Sequence, residues 1–181
     1  MKVYVMLADG FEEIEALAVV DVLRRGGVDT VIVSIKPDRV VVSDRKISVI
    51  ADRTVDEIQV SKEDMIVLPG GLKGVQGLEA SEAMVGLLKE HQGHEGLLAA
   101  ICAAPSLPGK LGFYNGVRAT CYPGFENELL GAQVSEEDVV LDRNFVTSRG
   151  PGTALPFSYA LLSMIKGLEV AEKVKAGMLY K

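Results

Sequence analysis

An uninterrupted apolar run, Leu97-Leu98-Ala99-Ala100-Ile101, ends directly on a cysteine, and Cys102 is followed by Ala103, Ala104 and Pro105. A run of that length bounded by Gly96 suits a strand buried on both faces, the condition of a strand inside a parallel sheet. Alanines favour helix and proline is accepted only in a helix's first turn, so the chain is expected to pass from strand to helix through Cys102. A side chain on such an elbow faces unpaired backbone N–H groups and the positive end of the helix, both of which favour a thiolate. Two readings of Cys102 stand on this pattern: an activated thiol, or a free cysteine packed in the core.

The remaining segments supply the sheet that such an elbow requires. Lys2–Leu7 reads as a buried strand, followed by a helix from about Glu12 to Arg25 with Ile14, Leu17, Ala18 and Val22 facing the core and Gly26-Gly27 as its stop. Thr30–Ile35 returns as a strand, and the short connections imply a right-handed crossover and parallel pairing. Val40–Val42 and Ile47–Ala51 predict a hairpin attached to that sheet, whose apolar ribbon is a candidate subunit contact. Met65–Leu68 is a further strand running into Pro69-Gly70-Gly71, and Ser81 caps a helix to about His91. Beyond the Cys102 elbow come a strand over Arg118–Tyr122, an irregular or helical connection to Leu130, a second hairpin over Val139–Asp142 and Phe145–Thr147, and helices over about 153–166 and 169–176. The alternation predicts an α/β fold in one domain over residues 1–181: a flavodoxin-like, doubly wound, mostly parallel sheet with helices on both faces and ligands outside the carboxyl ends of its strands.

Composition narrows the function classes. With 181 residues, 48% of them apolar, the chain can bury one full core. A net charge of −6 without a block of like charges argues against a nucleic-acid partner. The first apolar run is too short for a signal peptide, and no run approaches the roughly 20 residues of a membrane helix, so no membrane association and a cytoplasmic location are expected. Cys102 and Cys121 form no C-x-x-C pair and suit a reducing compartment. His91 and His94 fall in a polar, turn-like segment, so no metal site is expected; Gly70, Gly71, Gly74 and Gly77 do not make the G-x-G-x-x-G fingerprint, so no cofactor is expected either.

That topology gathers the loops at residues 9–15, 70–71, 102 and 148–153 on one edge. Glu12, Glu13 and Glu15 open a helix, where acidic side chains suit the dipole; Glu15, beside Ile14 and Leu17, is the one expected to be partly buried, hence protonated and able to donate to a thiolate. Backbone N–H groups of Gly70, Gly71 and Ala103 are candidates for an oxyanion site. Both histidines precede the Cys102 strand and therefore lie at its opposite edge, which disfavours a Cys/His dyad.

Four motifs in register, Asp9-Gly10-Phe11-Glu12-Glu13-Ile14-Glu15, Leu68-Pro69-Gly70-Gly71, Ala100-Ile101-Cys102-Ala103-Ala104-Pro105 and Thr147-Ser148-Arg149-Gly150-Pro151-Gly152-Thr153, resemble the ThiJ/DJ-one/PfpI superfamily. The closest branch is that of ThiJ and the Parkinsonism-associated deglycase, and the match runs along essentially the whole chain. The resemblance implies an easily oxidised Cys102, Glu15 as its protonated partner, and Gly70 and Gly71 at the oxyanion pocket. It also implies a homodimer with sites near the interface, where Arg45 would reach the other subunit; Tyr122 and Arg149 are candidates for pocket or interface. Members known as intracellular proteases carry a histidine directly after the nucleophile, where Ala103 stands here. In the deglycase branch a histidine often precedes the proline matched by Pro123; here it is Tyr122, a much weaker base with an ordinary pKa of about 10. Cys121 beside it reads as a buried strand residue or a second redox-active thiol.

The implied activity is cofactor-free chemistry of Cys102 on a reactive 2-oxoaldehyde such as methylglyoxal, or on its adduct with an amine or thiol. The alternative is a redox-sensing stress protein or chaperone in which Cys102 becomes a sulfinic acid held by Glu15. An intracellular cysteine protease is the reading that the residues support least.

Overall fold

In this computed structural model all 181 residues are described. The chain begins with β1 (Val3–Leu7), α1 (Glu13–Arg25) and β2 (Thr30–Ser34), then the hairpin β3 (Val40–Val42) and β4 (Ser48–Ile50), and the short β5 (Arg53–Thr54). Next come β6 (Met65–Leu68), α2 (Leu72–Ala80), α3 (Glu82–Gly93), β7 (Leu97–Ile101) and α4 (Ser106–Lys110). The last third holds β8 (Arg118–Ala119), β9 (Gln133–Val134), the hairpin β10 (Val139–Asp142) and β11 (Phe145–Ser148), α5 (Ala154–Lys166) and α6 (Leu168–Gly177).

Seven strands form the central sheet in the order β10-β11-β7-β6-β1-β2-β5, parallel except for the β10–β11 pair. This is the predicted α/β arrangement. Its two faces follow from strand alternation: Val3, Val5 and Leu7 pack with α1, α5 and α6, whereas Tyr4, Met6 and Ala8 pack with α2, α3 and α4. The chain winds in opposite directions from β1 and β6, so the crevice at their carboxyl ends is the topological switch point where ligands bind in such sheets.

Four sequence expectations are corrected. The β3–β4 hairpin is not part of the central sheet but a separate two-stranded one, tied to the first loop by Gly10 N–H donating to the Val42 carbonyl at 2.7 Å and Asp44 N–H donating to that of Phe11 at 2.9 Å. The strand expected over Arg118–Tyr122 shortens to β8, which pairs with β9 outside the central sheet. Helix α2 was not expected, because Gly74 and Gly77 lie inside it and each glycine weakens a helix by up to about 1 kcal/mol. Its position explains them: a Cβ on Gly74 would lie 2.8 Å from the backbone of Phe11.

The fourth correction is the rotation of α1. Ile14, expected inside, is 56% exposed, and Leu17 is exposed with it; the buried stripe is Glu15, Ala16, Val19, Val22 and Leu23. Helical spacing allowed either face, and the face bearing Glu15 is the one turned to the sheet.

Candidate active site

Cys102 follows the last residue of β7 with φ +65, a left-handed conformation that a non-glycine residue adopts at a cost of order 1–3 kcal/mol. The surrounding structure holds it there. Its N–H donates to the Ser148 carbonyl at 3.0 Å, and its own carbonyl accepts from the Tyr122 N–H at 2.8 Å. The elbow is therefore strained, but the helix behind it differs from expectation. The α4 helix begins only at Ser106 and has five residues, so its dipole is a weak support for a thiolate. What faces the sulfur instead are the backbone amides of Ala103 and Gly71.

Glu15 is fully buried in the first turn of α1 and lies against Cys102. Its Oε2 accepts from the Gly70 N–H at 2.7 Å, while Oε1 is buried without a hydrogen-bond partner. A carboxylate so placed loses its hydration and gains back only the Gly70 amide and the Cys102 thiol, so burial pushes Glu15 up to about 7. Burial and the Glu15 charge push the Cys102 thiol up as well, to about 12, against the pull of the two amides. Both shifts follow from burial and proximity: Glu15 ionises first, near 7, and its charge opposes a second one on the sulfur beside it. The thiolate expected from a helix terminus is thus opposed by burial and by the ionised Glu15.

Gly70 is needed for space: a Cβ there would lie 2.6 Å from both Cys102 Cβ and Glu15 Oε2. Its amide is committed to Glu15, which removes it from the expected oxyanion donors and leaves Gly71 and Ala103 beside the sulfur. Gly71 is a glycine for a different reason, since φ +86 and ψ 113 are closed to side-chain-bearing residues.

Tyr122 and Arg149 come together in a cleft of about 270 Å3, with Pro123, Asp138, Pro151 and Thr153. The Tyr122 ring lies over Gly150, where a Cβ would stand 3.2 Å from Cδ2, and Arg149 Nη1 donates to the Glu136 carbonyl at 3.2 Å. Asp138 and Gly150 were not singled out from the sequence. Asp138 carries no motif, but the register of the second hairpin, which sets it beside Arg149, was a usable signal. Arg45 is not at this site: it pairs with Asp44 in the β3–β4 turn and faces solvent. Cys121 is buried, and burial pushes its thiol up to about 11. His91 sits at the opposite end of β7 from Cys102, with Nε2 against the Leu97 carbonyl at 3.1 Å. The largest cavity, about 930 Å3, also opens at that far edge of the sheet, among Lys2, Tyr4, Arg24, Thr30 and Arg53. No set of three His, Cys, Asp or Glu side chains converges as a metal site, and no helix is long and apolar enough to cross a membrane.

Known proteins are similar to this chain in sequence and fold. The chain is 36% identical over 177 residues to protein dj-1beta of Drosophila melanogaster, covering 97% of this chain and 95% of that protein. It is 38% identical over 169 residues to protein DJ-1 homolog B of Arabidopsis thaliana, covering 93% of this chain but spanning only 39% of that longer protein. A protein named as a deglycase from Pyrococcus abyssi is 28% identical over 168 residues, covering 92% of this chain and all of that protein. Among solved structures, oxidized Toxoplasma gondii DJ-1 superposes with a TM-score of 0.93 at 33% identity, covering 99% of this chain and 98% of the other. The DJ-1/PfpI family model matches residues 1–164, a span that contains the elbow, both glycines of the β6 loop and the buried Glu15. A chain matched over that length, with that fold, belongs to the DJ-1/PfpI family.

Proposed function

We propose that this protein is a cysteine-dependent enzyme of glyoxalase or deglycase type, acting without cofactor on reactive 2-oxoaldehydes or their adducts in carbonyl and oxidative stress defence. The observation that carries this reading is a strained, partly exposed Cys102 set against a fully buried Glu15 whose proton is held up to about 7. Cys102 sulfur adds to the aldehyde carbon of methylglyoxal, and the carbonyl oxygen takes the proton to become a hemithioacetal hydroxyl. Glu15 then accepts the C1 proton and returns it at C2, giving the thioester of a hydroxy acid. Water cleaves that thioester, so methylglyoxal and one water become lactate, and the thiol is regenerated. The amides of Gly71 and Ala103 support the charge that develops beside the sulfur. The deglycase name of the Pyrococcus relative is in keeping with this reading. Cys102→Ser is expected to abolish lactate formation from methylglyoxal, measured by a coupled lactate assay; undiminished formation would refute the assignment.

A second reading is favoured by one observation, the unpartnered Oε1 of Glu15. If peroxide oxidises Cys102 to a sulfinate, with two peroxides reduced to water, a protonated Glu15 is placed to donate to the new oxygens. An oxidised solved relative fits a redox-sensing stress or chaperone role of this kind. Peroxide-dependent client binding without lactate formation is its signature.

The active unit is a homodimer in the cytoplasm. Two free cysteines suit that reducing compartment. An uncovered apolar surface supports the dimer: Ile14 and Leu17 on α1, Leu72 at the start of α2, and Ile50, 74% exposed, on the hairpin tied to the same loop. Sedimentation should give a dimer, with Ile50→Glu shifting the protein to monomer; a wild-type monomer at micromolar concentration would exclude this.

A further inference from the structure

Both walls of the Tyr122–Arg149 cleft are bonded to Cys102 itself. The Tyr122 N–H donates to its carbonyl, and its N–H donates to the carbonyl of Ser148, the residue before Arg149. At about 270 Å3 the cleft offers more room than a three-carbon oxoaldehyde requires. Its apolar sides are the Tyr122 ring and two prolines, and it carries two opposite charges, Arg149 and Asp138. In the β10–β11 register Val139 faces Ser148, so Asp138 and Arg149 stand one step beyond, at adjoining strand ends. Neither takes part in any of the chain's ion pairs. A guanidinium and a carboxylate that line one cleft without pairing are complementary to a carboxylate and an ammonium on one carbon.

We propose that this cleft is a subsite for the zwitterionic end of a free α-amino acid. The adducts it delivers to Cys102 are those of 2-oxoaldehydes on the side chains of free amino acids. Residues inside proteins lack the handle, because their α-amino and α-carboxyl groups are consumed in peptide bonds. The substrate assignment rests on the proposed adduct chemistry, but the subsite can be tested without turnover.

The probe is the stable hydroimidazolone that methylglyoxal forms with arginine, used as the free amino acid and as its Nα-acetyl carboxamide. Each is titrated against alkylation of Cys102 by iodoacetamide in Cys121→Ser protein, read by mass spectrometry. The free form should give half-protection at a concentration at least about tenfold lower than the capped form, the effect of one charge-assisted recognition. Arg149→Gln and Asp138→Asn should each erase that difference. Equal protection by the two forms, no protection by either, or a preference that survives both substitutions overturns the subsite. A preference lost in both variants, in a protein that makes no lactate, supports the subsite and refutes the activity.

Discussion

Glu15→Gln is expected to speed alkylation of Cys102 above pH 8 by at least about tenfold and to lower its midpoint from about 12, because the Glu15 charge and hydrogen bond both raise the thiol. With the carboxyl in place, Glu15 ionises near 7 and its charge opposes a second one on sulfur. Glutamine keeps the shape but carries no charge. The thiol is then governed by its burial, the largest influence on it, against two amides. Iodoacetamide rates from pH 5 to 10 in Cys121→Ser protein decide the matter: equal rates above pH 8 with and without the carboxyl would show that the Glu15 charge does not act on the sulfur. The same substitution should change how stability depends on pH. Because Glu15 is held up to about 7 in the fold against 4.5 when unfolded, the folded chain binds the extra proton in that interval. Stability from this group is complete below about 4.5 and is lost as pH rises through 7, by about 3 kcal/mol at about 1.4 kcal/mol per pH unit. Urea unfolding at pH 5 and pH 8 should show this fall in the wild type and not in Glu15→Gln.

Gly71→Ala carries the largest expected loss of stability. A Cβ at this position would collide with the Gly10 carbonyl oxygen and lie 2.7 Å from the Glu12 nitrogen and 2.8 Å from the Phe11 carbonyl carbon. These are backbone atoms of the first loop and cannot rotate aside, and the φ of +86 is itself unfavourable for alanine. Strain and overpacking together cost about 3 kcal/mol, a melting temperature lower by about 10 °C for a chain of this size. The displaced loop leads into α1 and Glu15, so the pH dependence of Cys102 alkylation should change as well. Gly86→Ala, where no atom lies within 4 Å, is the control and should stabilise α3 by about 0.5–1 kcal/mol. Calorimetry on the two variants separates these effects; equal melting temperatures would mean that the Gly71 loop yields freely.

The central strands were legible because burial on both faces leaves a continuous apolar signature, and Val3–Leu7, Met65–Leu68 and Leu97–Ile101 carry it. The elbow was legible because a cysteine between such a strand and Ala-Ala-Pro has few conformations open to it. Glu15 was singled out as the buried acid, yet the premise of its burial was wrong, since its neighbours Ile14 and Leu17 face outward. Periodicity states that a helix has an apolar face; it does not state which face wins when apolar residues lie on two. That was decided by the tertiary fold, which turned Glu15 to the Gly70 amide and left the other stripe uncovered. Helix α2 was hidden for a related reason, because Gly74 exists for close approach to Phe11 and Gly77 for close approach to Ala8, contacts distant in sequence. The Tyr122–Arg149 cleft, the loss of Gly70 as an oxyanion donor and the mutual influence of Glu15 and Cys102 also belong to the tertiary structure alone. Sequence spacing determined the order of strands and the residue types at their ends; desolvation and hydrogen bonding between segments far apart in the chain determined the chemistry those residues can perform.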